Sequence, residues 1–170
     1  MTPAELLTDA FERVLTTATA AVDGLTEDQL AARPDRDANP IGWLVWHLAR
    51  VQDDHVADVA DTEQVWTAQD FVNRFDLPFD SGATGYGMSS EEVGHVRVTA
   101  DLLVEYLRAV HDATLAYVAT LTPEDLDRVV DERWDPPVTL GVRLVSVVSD
   151  DLQHAGQAGY LRGLVTSERS

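Results

Sequence analysis

The sequence contains no cysteine and no lysine, and its 12 basic residues are all arginines. The missing thiols exclude disulfide bonds, thiolate metal ligands and a cysteine nucleophile, and they are typical of a reducing cytoplasm. The missing lysines exclude Schiff-base chemistry with a carbonyl substrate. Any metal ion bound by this chain must therefore be held by nitrogen and oxygen atoms.

Positive charge is scarce, because 30 acidic residues oppose the 12 arginines and give a formal net charge of −18. A field of this sign repels nucleic-acid phosphates and anionic lipid headgroups, so neither is an expected partner. No apolar run approaches the roughly 20 residues that span a bilayer, and the first residues lack the pattern of a secretion signal. We expect a cytoplasmic protein that binds a small molecule.

The periodicity of apolar residues predicts one all-α domain over residues 1–170, with four long helices. The predicted helices cover about residues 3–22, 40–60, 89–120 and 138–162. Thr2 is the expected N-cap of the first helix and Asn39 that of the second, with Pro40 in its first turn. Ser89 and Glu92 have the spacing of a capping box for the third.

Two turns of similar sequence precede helical segments, LTEDQL at residues 25–30 and LTPEDL at residues 121–126. They indicate a helix-loop-helix unit used twice, which predicts a four-helix bundle with sites built from inward side chains. Ordinary turn and cap chemistry explains the same letters equally well, so both interpretations stay open. Residues 61–89 form a long loop rich in glycine and aromatic residues between the second and third helices, and such loops are more often functional than idle.

Three residues of metal-ligand type lie on predicted inward helix faces. His47 falls in an apolar segment of the second helix, and Asp150 and His154 are one turn apart on the fourth, so that both can point at one ion. Three protein ligands without a fourth are typical of a catalytic metal site, in which one coordination position is free for water or substrate. The alternative is a buried His47 bonded to a backbone carbonyl or carboxylate, with an unrelated surface pair at 150 and 154.

Other polar residues are weaker candidates. Asp54 is near the face of His47 and is interpreted either as a carboxylate that supports a metal ligand or as surface charge. His55, His95 and His111 are predicted to lie on the surface. The glycines at 82, 85 and 87 do not form a phosphate-binding loop, because no strand precedes them and no lysine follows.

Four segments together resemble the DinB-like superfamily, and within it the subgroup called domain of unknown function 664. They are LTEDQLAARP, NPIGWLVWHLARVQ, QVWTAQDFVNRFDLPFDSGATGYGMSSEEV and DDLQHAGQAGYLRG. Nearly the whole chain is covered. The resemblance extends to thiol-dependent transferases that include mycothiol-dependent maleylpyruvate isomerase, and it implies a four-helix bundle with a tendency to form homodimers.

The resemblance also implies a divalent metal ion, commonly zinc or nickel, held by one histidine of the second helix and two ligands of the fourth. His47, Asp150 and His154 fall on those positions. Many members have histidine at the place of Asp150, and the isomerase branch has glutamate there, so a carboxylate at this position is expected to be tolerated.

The activity that the resemblance implies is transfer of a low-molecular-weight thiol, of the mycothiol type, to an electrophilic small molecule. Candidates for the pocket wall or for ligand contacts are Trp43, Trp66, Phe71, Phe75, Tyr86, Gln157 and Arg162. For Gln157 and Arg162 the alternative, ordinary helix surface, is the favoured interpretation. The alternative functions are a metal-dependent hydrolase and a non-catalytic, stress-associated binding protein in which the metal is structural.

Overall fold

The computed structural model describes residues 1–167, and four long helices make up most of it. They are α1 (Pro3–Val22), α3 (Ile41–Ala60), α7 (Ala100–Val118) and α8 (Leu140–Ser167). Four short helices are α2 (Glu27–Ala31), α4 (Val65–Ala68), α5 (Phe71–Phe75) and α6 (Ser90–Val93). A 3-10 turn at Glu124–Asp127 precedes an antiparallel hairpin of β1 (Val129–Asp131) and β2 (Val138–Thr139). The predicted all-α class is confirmed.

The four long helices pack around a shared core. Helices α1 and α3 each pack against both α7 and α8, so α1 lies diagonally opposite α3. Helix α3 is buried on nearly all sides. The other long helices cover most of its surface, and the short helix α4 packs against part of the remainder. None of the helices in residues 1–167 is both long and apolar enough to span a bilayer.

The starts of α1 and α3 differ in how their first backbone amides are capped. The Thr2 side chain accepts from the Glu5 amide while the Glu5 carboxylate accepts from the Thr2 amide, so the predicted N-cap of α1 is confirmed. Asn39 is not the N-cap of α3. Pro40 holds that position with φ −74° and ψ 161°, and no side chain caps the helix. The proline lies outside the helix because its backbone is extended.

The predicted third helix is wrong at its start, because the chain breaks between α6 and α7. Ser89 and Glu92 form their capping box, but α6 ends within one turn at Gly94. Val96 and Val98 are then buried outside any helix, and the Thr99 side chain accepts from the Leu102 amide to start α7. The burial of two β-branched residues in an extended segment therefore outweighs the first capping box, and Thr99 provides a new N-cap for α7.

The fourth helix begins at Leu140, two residues later than predicted, since residues 138 and 139 belong to β2. The two similar turns have the same kind of cap. The side chains of Thr26 and Thr122 each accept a hydrogen bond from the backbone amide three residues later. A helix follows the first turn and only a 3-10 turn follows the second. Cap chemistry accounts for the repeated letters at both places.

Candidate metal centre

The packing of α3 against α8 brings His47, Asp150 and His154 together. Each residue offers one ligand atom, and these atoms lie within 4.8 Å of one another. Nε2 of His154 lies 3.6 Å from Oδ1 of Asp150, and the two imidazole rings are 4.9 Å apart. Atoms that bind one zinc ion are at most about 4 Å apart, so small side-chain rotations bring the three onto a common ion.

Both histidines use Nδ1 in a contact with an oxygen atom outside the centre. The Nδ1 of His47 lies 2.5 Å from the carbonyl oxygen of Thr84, and the Nδ1 of His154 lies 3.1 Å from Oε1 of Gln157. Because a carbonyl oxygen only accepts, each Nδ1 carries the proton and donates. The Nε2 lone pairs are then available, which is how metal-binding histidines are commonly oriented.

Asp150 has an oxygen atom that no group within residues 1–167 satisfies. Its Oδ2 is buried without a hydrogen-bond partner, and its Oδ1 has only the contact with His154. A buried polar atom left in this state costs about 1–3 kcal/mol. A cation between Asp150 and the two histidines would supply the missing interaction. The donor set therefore fits a divalent ion held by nitrogen and oxygen.

The surroundings of His47 favour its neutral form. Burial is the largest cause and lowers the pKa of the imidazole, and the nearby His154 lowers it further, while the Thr84 carbonyl and Asp150 act in the opposite direction. A metal ligand must be deprotonated at the coordinating nitrogen. The lowered pKa therefore keeps His47 ready to bind an ion at neutral pH.

Aromatic rings enclose His47 on two sides. Trp43 stacks on it with ring centroids 4.5 Å apart and also meets His154 edge-on at 6.2 Å. Tyr86 contacts the His47 ring edge-on at 5.1 Å. Of the side chains predicted to form the pocket wall, Trp43 and Tyr86 are thus placed against the candidate ligands.

Gly85 lies directly on the imidazole of His47, a contact that sequence analysis missed. Its φ is +103°, and an added Cβ would lie 2.5 Å from Nδ1 of His47 and 3.1 Å from Trp43. Glycine is required here both for the backbone conformation and for the space. The only signal in the sequence was a glycine within an aromatic-rich loop.

Trp66, Phe71 and Phe75, also predicted to line the pocket, are instead buried in a separate aromatic cluster around Tyr106. Their ring centroids lie 5.1, 4.9 and 5.7 Å from that of Tyr106. The short helices α4 and α5 carry these rings, and α4 packs on α7, where Tyr106 lies. None of the three is in ring contact with His47 or His154 within the described chain.

Gln157 and Arg162 were predicted to contact the ligand, and the structure gives each another role. Gln157 is used to orient His154. Arg162 donates to the carbonyl oxygens of Ala21 and Asp23, at 3.3 and 2.6 Å. This guanidinium satisfies carbonyls at the end of α1, which have no partner within the helix.

The remaining histidines and Asp54 do not join the centre. Asp54 accepts from the side chain of Gln64 at 2.8 Å. His95 is exposed and His55 is half-buried. His111 is only 6% exposed, so its predicted surface position is wrong. It lies on the inward side of α7, whereas the next residue, Asp112, is exposed.

A second polar cluster on α3, also missed from the sequence, is built on Arg50 and Asp53. Arg50 is fully buried and donates to the side chains of Gln64 at 2.9 Å and Tyr106 at 3.1 Å. Asp53 accepts from the Tyr106 hydroxyl at 2.8 Å and from the amides of residues 65 and 66 at the same distance. We call Arg50, Asp53, Gln64 and Tyr106 the Arg50 network.

The Arg50 network reaches the candidate metal centre through the loop that precedes α6. Nε of Arg50 donates to the carbonyl oxygen of Ala83 at 3.0 Å. The next residue is Thr84, whose carbonyl accepts from His47. Arg50 therefore fixes the stretch of backbone that orients the metal-ligand histidine.

The fold and the three converging ligands define a helical protein with a candidate site for a divalent ion. The family described as the DinB superfamily matches residues 10–158, and the chain belongs to it. A crystal structure described as the conserved protein of locus from Enterococcus faecalis is similar, with 30% sequence identity and a TM-score of 0.92. The match covers 98% of this chain and 99% of that one. A comparison with curated proteins gave no match.

Proposed function

We propose that this chain binds a divalent metal ion, zinc or nickel, and transfers a low-molecular-weight thiol to electrophilic small molecules. His47, Asp150 and His154 are the proposed ligands. The observation that carries the proposal is their convergence within 4.8 Å, with both histidine Nδ1 atoms already engaged elsewhere. Membership in the DinB superfamily supports it.

An ion held by three ligands leaves room for a cosubstrate. No fourth histidine or carboxylate joins the group within residues 1–167, and the chain has no cysteine. A divalent ion supplies a charge that lowers the pKa of a bound thiol or water. The sulfur must come from a small-molecule thiol, and the sequence resemblance favours one of the mycothiol type.

The protein's own residues prepare this site. Thr84 and Gln157 accept the Nδ1 protons of the two histidines, and Trp43 and Gly85 shield the imidazole of His47 from water. In the proposed transfer the thiol gives its proton to water, its sulfur forms a bond to the electrophilic carbon, and the leaving group departs with the electron pair of the bond that breaks. The hydrophobic contacts around His47 keep the ligand geometry fixed during this exchange.

Thiol conjugation by metal-loaded protein tests the proposal. Protein loaded with zinc or nickel is mixed with mycothiol or another low-molecular-weight thiol and a panel of electrophiles. We expect conjugation that requires the metal, is lost in His154→Ala and is kept in His95→Ala, which removes an exposed histidine.

Two other results would contradict the transferase. Metal-dependent ester or amide cleavage without any thiol would instead indicate a hydrolase that uses bound water. Stoichiometric metal with no turnover of any thiol would instead indicate a non-catalytic binding protein.

A further inference from the structure

A cavity of about 400 Å³ lies beside Asp150, between α3, α8 and the β1–β2 hairpin. Tyr86 and Asp150 belong both to this cavity and to the candidate metal centre. Its apolar wall is formed by Val51, Val138, Val142 and Val147, and the indole of Trp134, 65% exposed, lies at its edge. Cavities of this size and lining are typical of sites for small molecules.

One carboxylate of the cavity, Asp131, is already neutralised. Arg133 donates to both of its oxygens, from Nε at 2.9 Å and from Nη2 at 2.8 Å, and the Arg133 amide adds a third bond at 3.0 Å. These contacts hold the pKa of Asp131 well below its usual range. Arg143 donates to the same carboxylate at 3.3 Å, so two guanidiniums share one negative charge.

Two arginines facing one carboxylate leave one positive charge unbalanced, and Arg143 is the more buried of the two. Its side chain is only 13% exposed, and its nearest acceptors are Nδ1 of His55 at 3.2 Å and the already paired Asp131 at 3.3 Å. Asp58 is 3.7 Å away with a side chain that is 68% exposed, so water screens that contact. Burial and the neighbouring Arg143 lower the pKa of His55, which keeps this ring neutral.

We infer that this cavity binds the small-molecule substrate of the candidate metal centre, and that Arg143 binds a carboxylate group on that substrate. The flat apolar body of the ligand packs between the valines and Trp134. Arg143 and Asp150 are seven residues apart on α8, hence on nearly the same face and about 10 Å apart along the helix axis. That spacing sets the separation between the carboxylate and the reacting end. The assignment rests on the proposed function.

Binding of benzoate and of its neutral analogue benzamide tests this inference, first on metal-free protein and then on zinc-loaded protein. Dissociation constants are measured by NMR chemical-shift titration. We expect benzoate to bind metal-free protein more tightly than benzamide does, and Arg143→Gln to weaken benzoate by about tenfold or more, as the loss of a charge-assisted hydrogen bond predicts. Arg108→Gln removes an exposed arginine outside the cavity and should change nothing.

Arg133→Gln provides a second test that changes an exposed side chain. Without Arg133, the charge of Asp131 is balanced by Arg143 alone, so benzoate should again bind more weakly although benzamide is unaffected. Trp134→Ala should weaken both probes alike, because it removes only the packing surface. These two variants carry the test if Arg143→Gln does not fold, as judged by circular dichroism.

The inference is overturned if benzoate binds no better than benzamide, if neither probe binds, or if Arg143→Gln and Arg133→Gln leave benzoate binding unchanged. Benzoate that binds only zinc-loaded protein, with equal affinity in wild type and Arg143→Gln, also overturns it, since the ion and not the arginine would then hold the carboxylate. The metal-free titration separates this outcome from failure of the proposed function, which is read from zinc binding and thiol transfer.

Discussion

Two carboxylates, Asp53 on α3 and Asp150 on α8, differ in how their oxygen atoms are satisfied. Both oxygens of Asp53 accept hydrogen bonds, and Arg50 lies beside them. Asp150 has one buried oxygen with no partner and faces two imidazoles with available nitrogens. The fully bonded carboxylate of Asp53 stabilises the fold, whereas Asp150 keeps an oxygen atom available for a ligand.

The two clusters are nevertheless joined. Arg50 binds the carbonyl of Ala83, and the carbonyl of the next residue, Thr84, binds His47. The Arg50 network thus holds the backbone that orients His47. Variants at each place should separate stability from metal affinity if this division is correct.

The largest expected effect is at the Arg50 network. Arg50→Met leaves the carboxylate of Asp53 buried without its cation, so the free energy of unfolding should fall by about 3–5 kcal/mol. Urea denaturation of metal-free protein measures it. Arg108→Met, at an exposed position, should stay within about 0.5 kcal/mol of wild type. An equally small effect for Arg50→Met would contradict a structural role for the network.

His154→Ala should have the opposite profile. The free energies of unfolding of metal-free variant and wild type should differ by only about 1 kcal/mol, the usual contribution of one hydrogen bond such as that between His154 and Gln157. At a free zinc concentration about 100 times the dissociation constant, wild type should gain about 2.7 kcal/mol and the variant almost nothing. His95→Ala, which changes an exposed histidine outside the centre, should keep the full gain. A zinc-dependent gain that survives in His154→Ala would place the ion elsewhere.

Gly85→Ala tests the contact between the loop and His47. The positive φ alone should cost about 1–3 kcal/mol of unfolding free energy. The Cβ that would lie 2.5 Å from Nδ1 should also displace the imidazole and weaken zinc binding. Gly87→Ala is a matched control, because Gly87 has φ +72° but no neighbour within 4 Å. Calorimetric zinc titrations should show a loss for Gly85→Ala alone, and equal affinities would refute the contact's role.

The smallest expected effect is at Gln157. Gln157→Leu removes the acceptor for Nδ1 of His154 and should lower zinc affinity by about tenfold with little change in stability. Gln153→Leu provides the comparison, since Gln153 bonds only to Ser149 of its own helix. Unchanged zinc affinity in Gln157→Leu would show that this hydrogen bond does not orient the ligand.

The candidate ligands were predictable from the sequence because their placement follows from helical spacing. Asp150 and His154 are one turn apart, and His47 lies within an apolar helical segment. Trp66 and Phe75 were predicted to line the pocket but pack on Tyr106, because the path of the loop over α7 depends on contacts between residues distant in sequence. The close approach of Gly85 to His47 has no local signature for the same reason.

The Arg50 network was missed because charged residues in a helix are ordinarily exposed. Its position in the same apolar segment as His47 was the available signal, since a residue there is buried whatever its type. The break before α7 was missed because a capping box predicts where a helix starts and not how far it continues.

Metal analysis of the purified protein tests the central claim most directly. Protein treated with a chelator, dialysed and then supplied with zinc or nickel is analysed by inductively coupled plasma mass spectrometry. We predict one divalent ion per chain in wild type and none above trace in His47→Ala or His154→Ala. Absence of a stoichiometric ion in wild type, or an ion retained by both variants, would contradict the claim that His47, Asp150 and His154 form a metal site.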